Sequence, residues 1–293
     1  TADYDTAISN WIRKERGLQS SKYIESYPLI TTLRYGENPH QKAFWYGLSN
    51  IGWNSAEQLQ GKDLSYNNLL DLESALSTVL EFGYPEKDEL TTDTFASVIL
   101  KHNNPCGASL SNSASQAFLN ALECDSVSAF GGIVAFNSNV DSETANNLKN
   151  IFLECIVAPS FDEDALEILK IKKNLRILKL SKNILSKKSQ TSSKSIMGGL
   201  LVQETDDSED KNENWVSVTK NNPSNQMNLD LDFAWKICKH VKSNAIVIAK
   251  DQKTFGIGAG QMNRVGAAKI ALEAAKGLCY EAVLASDGFF PFA

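Results

Sequence analysis

The sequence predicts an α/β fold. Short β-branched runs alternate with longer segments whose apolar residues recur at helical spacing, a βαβα rhythm that implies a largely parallel sheet. At 293 residues the chain exceeds the usual single-domain size of about 100–200. A plan of helix, strand and polar strand end recurs in its last third, so two similar subdomains are predicted, although identity between the halves is too low to claim a duplication.

The elements follow in order. Residues 1–16 are polar and charged around a few apolar positions and read as an amphipathic helix rather than a leader peptide. Residues 43–46 form an early strand, and residues 69–82 a helix with apolar Leu70, Leu72, Ala75, Val79 and Phe82. The buried run 96–100 is a strand that ends abruptly at Lys101 and breaks into a Pro/Gly turn. A helix over 114–122, a strand over 133–136, a helix over 143–151 and a strand over 155–158 come next. Residues 175–180 alternate like an edge strand within a stretch rich in Lys, Ser and Asn over 170–194, and acidic residues 205–214 read as an exposed loop. Together these two segments mark a seam. Beyond it lie a helix over 231–241, a strand over 245–249, a glycine-rich run over 254–260 and a helix over 265–275.

Composition narrows the function. A net charge of −6 and a pI near 5.2 argue against general nucleic-acid binding, which rests on neutralising phosphates. No apolar stretch approaches the roughly 20 residues of a membrane-spanning helix. The five cysteines show no CxxC spacing and their odd number cannot close fully into disulfides, which fits a reducing cytoplasm. The three histidines, His40, His102 and His240, stand at no zinc-ligand spacing, so no metal site is expected.

Three segments carry more polar punctuation than a core needs. Lys101-His102 at a strand end places a fixed positive charge beside a group that titrates near neutrality, a pairing suited to proton transfer next to a developing oxyanion, although such a pair is also common in solvated loops. Residues 33–41 gather Arg34, Tyr35, His40 and two amides around Gly36 and Pro39, a binding-loop composition whose plain alternative is a turn. Residues 256–264 resemble a glycine-rich phosphate loop but miss the third glycine of a dinucleotide fingerprint, and no acidic residue follows at the required distance. Close backbone approach, to a ligand or to a helix, is the better use of those glycines.

Taken together, nine motifs resemble the AICAR transformylase family: LRYGENPHQ (33–41), GKDLSYNN (61–68), KHNNPCGAS (101–109), SAFGGIVAFN (128–137), IVAPSF (156–161), MGGLLVQ (197–203), KSNAIVIAK (242–250), GIGAGQMNRV (256–265) and ASDGFFPF (285–292). They stand in the family's order along nearly the whole chain. The resemblance implies transfer of a formyl group from the co-substrate 10-formyltetrahydrofolate to the 5-amino group of AICAR, giving FAICAR and tetrahydrofolate in purine biosynthesis. It implies His102 as base, Lys101 as its electrostatic partner and Asn244 as an amide near the reacting centre. It further implies Arg34, Tyr35, Gly131, Glu154, Arg264 and Phe289 as nucleotide-binding positions and Val265 as a folate contact. Asp125, Asp287, Lys62, Asn67 and His40 are shaping residues on the same reading.

The fold implied is a three-layer α/β architecture of two similar cytidine-deaminase-like subdomains: a connector helix over 1–18, a first subdomain over 19–204 and a second over 205–293, incomplete at its C-terminus. A homodimer with active sites across the subunit interface and a structural potassium ion near the second subdomain are implied as well. The family normally carries a fused inosinate cyclohydrolase domain, so cyclisation is not expected from this chain alone. It also continues beyond FFPF with further substrate contacts, which leaves a truncated, non-catalytic fragment that binds nucleotide or dimerises as the alternative expectation.

Overall fold

A computed structural model of the protein describes residues 2–17, 23, 25–48, 50–84, 94–181, 191–206 and 215–290. The predicted loop over 205–214 falls outside them from residue 207, as do 182–190 of the Lys/Ser-rich stretch, residues 1 and 18 of the connector and residues 291–293. The elements begin with α1 (Ala2–Glu15), β1 (Leu29–Leu33), β2 (Ala43–Tyr46), β3 (Glu57–Gln60), α2 (Tyr66–Leu80), β4 (Phe95–Lys101) and β5 (Asn104–Ser111). Next come α3 (Ala114–Cys124), α4 (Ser126–Ala129), β6 (Gly132–Phe136), α5 (Ser142–Leu148), β7 (Leu153–Ala158), α6 (Glu163–Leu169) and β8 (Arg176–Lys179). The last are β9 (Thr191–Ile196), β10 (Gly199–Glu204), α7 (Asn225–Lys239), β11 (Ile246–Lys250), β12 (Lys253–Gly258), α8 (Arg264–Ala274) and β13 (Val283–Ser286).

One nine-stranded sheet, in the order β13-β11-β12-β5-β4-β6-β7-β8-β3, carries the molecule. Alternation along β4 divides its side chains between two cores. Ala96, Val98 and Leu100 pack with Leu72, Val79, Phe233 and Ile237 of α2 and α7 on one face. Ile99 packs with Phe118, Leu148 and Leu169 of α3, α5 and α6 on the other, where Ile246 and Ile248 meet Ala267 and Ala271 of α8. The result is three layers, helix on sheet on helix.

The expectation of a largely parallel sheet is corrected. Only β6–β7 and β7–β8 run parallel; the remaining pairings in this sheet are antiparallel. The Pro/Gly turn read after Lys101 and the glycine-rich run read over 254–260 are instead the strands β5 and β12, which fold straight back on their predecessors through two-residue turns, a connection open only to antiparallel neighbours. Pro105 and Gly107 disguised β5. Proline is tolerated there because it sits opposite Leu100 at a register shift, while β12 pairs with β5 only at Lys253–Ser109. The strand over 175–180 is not an edge either: β3, whose sequence Glu-Gln-Leu-Gln carries little apolar pattern, lies outside β8.

The same arrangement occurs twice. Helices α2 and α7, capped by Ser65 and Ser224, each precede a hairpin, β4–β5 or β11–β12, followed by α3 or α8, capped by Ser113 or Asn263. Both hairpin turns are left-handed at both central residues, with φ of 52° and 59° at His102 and Asn103 and of 51° and 52° at Asp251 and Gln252. A glycine then lets the following helix lie on the strand. A Cβ at Gly107 would stand 1.9 Å from Ala121 O, and one at Gly256 2.0 Å from Ala271 O. Gly258 does the same, since a Cβ there would stand 2.0 Å from Ala267 O, so Gly256 and Gly258 of the glycine-rich run serve helix packing. Strands β12 and β5 lie side by side, so the two halves share one sheet.

Two hairpins stand apart from this sheet, β1–β2 and β9–β10. The second exposes Ile196, Met197, Leu200, Leu201 and Val202.

Candidate active site

Lys101 and His102 stand where the two halves meet. With the β4–β5 strands, α3, α4, β12 and α8 as walls, Lys101, His102, Asn104, Pro105, Cys106, Cys124, Asp125, Ser128, Ile257, Ala259 and Ala274 line a cavity of about 220 Å³. Lys101 ends β4 and donates from Nζ to Phe130 O at 2.6 Å, which fixes its ammonium beside the turn. Asp125 accepts from Ser128 N at 2.9 Å and caps the short helix α4. Burial pushes the thiol of Cys106 up to about 12 and that of Cys124 up to about 11, so neither wall cysteine is a nucleophile near neutral pH.

His102 itself is exposed, at the tip of its turn. A left-handed conformation costs a non-glycine residue about 1–2 kcal/mol, least for His, Asn and Asp, so two in succession persist only where neighbours hold them. The neighbours come from α2. Asp71 Oδ1 accepts from Asn103 N at 2.7 Å. The Asn103 amide, oriented with its nitrogen toward the helix as the acceptors there require, donates to Leu70 O at 3.1 Å and to Ser74 Oγ and Asp71 Oδ1 at 3.2 Å. Burial raises the Asp71 carboxyl above its ordinary range, against the lowering effects of the Asn103 amide and of nearby His102.

The same polar face of α2 draws in the nucleotide-binding candidates. Asn67 Nδ2 donates to Glu37 O at 3.3 Å and so ties down the loop that bears Arg34 and Tyr35. Arg34 Nη2 donates to Tyr35 Oη at 3.0 Å, with its guanidinium 4.8 Å from the Tyr35 ring centre. Asn68 Nδ2 donates to Glu154 Oε2 at 2.8 Å, and Arg176 Nη1 lies 4.0 Å from the same oxygen. Gly131, with φ of 74°, donates to Phe152 O at 2.8 Å; the rings of Phe130 and Phe152 pack on each other with centres 5.2 Å apart.

Asn244 and Arg264 form a second group. Asn244 donates to Gln261 O from its backbone at 3.1 Å and from Nδ2 at 2.7 Å. Arg264, first residue of α8, donates from Nη1 to Ser286 Oγ at 2.9 Å and is ion-paired with Asp287, which also accepts from Ala245 N at 3.0 Å. Burial alone would raise the Asp287 carboxyl, but hydrogen bonds from Ser243, Ala245 and Arg264 outweigh it and hold it below its ordinary range. Asn104 joins the groups: its Nδ2 donates to His102 O at 3.2 Å and its Oδ1 accepts from Lys242 N at 3.0 Å.

The structure thus gathers Lys101, His102, Gly131, Glu154, Arg34 and Tyr35 around α2 and the β4–β5 turn. Of the predicted catalytic and binding residues only Lys101 and His102 line the cavity; Asn244 and Arg264 lie across the Asn104 bridge, Val265 is exposed and Phe289 is 82% exposed. Sequence reasoning missed Asp71, Asn104, Asn68 and Arg176. A signal for Asp71 existed, since polar positions 67, 71 and 74 recur at helical spacing along one face of α2. Among the described residues no group of three or more His, Cys, Asp or Glu side chains is placed to hold a metal ion.

Residues 1–274 match the family described as AICARFT/IMPCHase bienzyme. The bifunctional purine biosynthesis protein PurH of Prochlorococcus marinus strain MIT 9312 is 91% identical over 293 residues, covering 100% of this chain and 57% of that protein. PurH of strain NATL2A is 54% identical over 294 residues, covering 100% and 56%. The chain therefore spans little more than half the length of the curated relatives it matches. A solved structure of Acinetobacter baumannii RibD, form 2, aligns with a TM-score of 0.26 and 17% identity over 39% of this chain and 36% of that one, too distant for anything to follow about the fold.

Proposed function

The chain belongs to the AICARFT/IMPCHase bienzyme family, and on that premise we propose that it transfers a formyl group from 10-formyltetrahydrofolate to the 5-amino group of AICAR. The products are FAICAR and tetrahydrofolate. The observation that carries this reading is the placement of Lys101 and His102 together on the wall of one cavity, on a turn braced by α2.

The chemistry asks for such a pair. The amine is conjugated with an electron-poor imidazole and is a feeble nucleophile, so its proton must leave as nitrogen attacks the formyl carbon. His102 takes that proton. Lys101, anchored by Phe130 O, stabilises the oxyanion of the tetrahedral intermediate. As the intermediate collapses, the bond from carbon to folate N10 breaks, and the imidazolium returns a proton to the departing nitrogen. Asn244 supplies an amide near the reacting centre. Arg34, steadied by Tyr35, meets the ribonucleotide phosphate, since a guanidinium makes bidentate charge-assisted contacts. Arg264, with donors left over from Asp287 and Ser286, meets the carboxamide. Gly131, Glu154 and Phe289 shape the nucleotide pocket, and Val265 contacts folate.

The proposal includes two cytidine-deaminase-like subdomains divided near residue 204, a reading supported by the repeated helix–hairpin–helix arrangement. It includes a cytoplasmic homodimer, supported by the exposed apolar residues of β9–β10 and by the fact that no helix among the described residues is long and apolar enough to cross a membrane. A fused cyclohydrolase partner is in keeping with the bifunctional relatives. No step is assigned to the potassium ion.

The test is AICAR binding by calorimetry, in the unaltered chain and in Arg34→Ala. Micromolar binding weakened about tenfold or more by the substitution supports the reading, at the about 1.5–3 kcal/mol typical of a charged hydrogen bond. Equal binding by both would contradict the assignment of Arg34.

A further inference from the structure

We propose that Asp71 is the positioning residue for His102, its carboxylate clamping the left-handed turn through the Asn103 amide and so presenting the imidazole at the cavity.

The internal repeat supplies the argument. Asp71 is the sixth residue of α2 and Asp230 the sixth of α7. Asp71 Oδ1 accepts from Asn103 N at 2.7 Å; Asp230 Oδ1 accepts from Gln252 N at 2.8 Å. Each carboxylate thus holds the second residue of the two-residue turn that follows its helix, and both turns are left-handed at two non-glycine positions. The hairpin geometry needs this brace wherever glycine is absent.

The two clamps differ in what they carry. Asp230 is 2% exposed, is further held by Gln226 Nε2 at 3.1 Å, and fixes a turn whose residues, Asp251 and Gln252, do not line the cavity. Asp71 is half-buried and fixes the turn that bears His102, which does line it. Glu154 from β7 acts on the Asp71 carboxylate, Lys101 and Asp125 line the same cavity as His102, and Lys242 reaches the turn through Asn104. One half of the molecule therefore uses the device as scaffold alone, and the other uses it to aim a base. A misplacement of a reacting group by about 1 Å can cost on the order of 10²-fold in rate. Asparagine at position 71 keeps an acceptor oxygen for the Asn103 amide, whereas alanine removes it.

The inference rests on the formyl-transfer reading for its kinetic arm only. The experiment compares Asp71→Ala, Asp71→Asn and Asp230→Ala with the unaltered chain by amide hydrogen exchange and by AICAR-dependent turnover. Asp71→Ala is expected to lose protection at the Asn103 amide and to drop kcat by about 10- to 100-fold with KM for AICAR changed less than about threefold. Asp71→Asn restores both protection and kcat. Asp230→Ala loses protection at Gln252 and lowers Tm but keeps kcat. Unchanged exchange at Asn103 in Asp71→Ala, or a kcat loss in Asp230→Ala equal to that in Asp71→Ala, would overturn the proposal. Absence of turnover in the unaltered chain would sink the formyl-transfer reading, and the exchange result would still decide whether Asp71 holds the turn.

Discussion

At the scale of single residues, the site is a set of side chains that each answer to a neighbour. Arg264 and Asp287 illustrate the energetic stake: both side chains are mostly covered, and removing one leaves the other charge short of a partner. Asp287→Ala is expected to destabilise the fold by about 1–2 kcal/mol in urea denaturation, the loss of a partly covered charged hydrogen bond to Arg264 together with the Ala245 amide's acceptor. An effect below about 0.5 kcal/mol would show the pair to be solvated. The residues proposed for the chemistry stand out in the sequence because they sit in unusual motifs: Lys101-His102 after an apolar strand, Arg34-Tyr35 beside Gly and Pro. Asp71 and Asn104 were not, because their importance lies in reaching backbone groups far along the chain, at Asn103 and Lys242.

At the scale of elements, helices and buried strands were readable because their apolar periods are strong. Segments 114–122, 133–136 and 155–158 fall within α3, β6 and β7. Strands β5 and β12 escaped because proline and glycine speak locally for a turn, while their use is set by the helices lying across them. That use is measurable. Gly107→Ala and Gly256→Ala would each push a methyl into a helix carbonyl, and each is expected to cost about 1–3 kcal/mol by denaturant titration, the range for overpacking; neutral substitutions would mean that α3 and α8 are free to shift. A second element-scale contact ties the end of α2 to the end of α7, where Glu81 Oε1 lies 2.9 Å from His240 Nε2 and 3.2 Å from Lys239 Nζ. Burial alone would raise the Glu81 carboxyl, but these contacts outweigh it and hold it below its ordinary range. A depressed folded value contributes stability that is present above about pH 4.5 and is lost as pH falls through the folded value. Glu81→Gln should therefore flatten the acid limb of a curve of stability against pH below about 4.5; an unchanged limb would remove Glu81 from that account.

At the scale of the whole molecule, two copies of one arrangement share a sheet, and the cavity opens where β5 and β12 bring them side by side. The repeated plan was visible in the sequence, but the sheet's direction was not. A βαβα rhythm suggests parallel strands only if each helix is a crossover, and here two of the links are tight turns at His102-Asn103 and Asp251-Gln252. The β9–β10 arm makes a prediction at this scale. Leu201 is 57% exposed on a two-stranded hairpin, a unit marginal on its own in water. If the proposed homodimer covers it, Leu201→Glu shifts the sedimentation coefficient toward the monomer; an unshifted dimer would place the interface elsewhere.

The measurement that bears most directly on the central claim is transfer of a ¹³C-labelled formyl group from 10-formyltetrahydrofolate to AICAR, followed by NMR in the unaltered chain and in His102→Ala. Labelled FAICAR from the unaltered chain, a loss of about 10²–10⁴-fold in His102→Ala, and AICAR affinity retained in both are expected. Near-normal transfer by His102→Ala, or no transfer by a chain that binds both substrates, would contradict that claim.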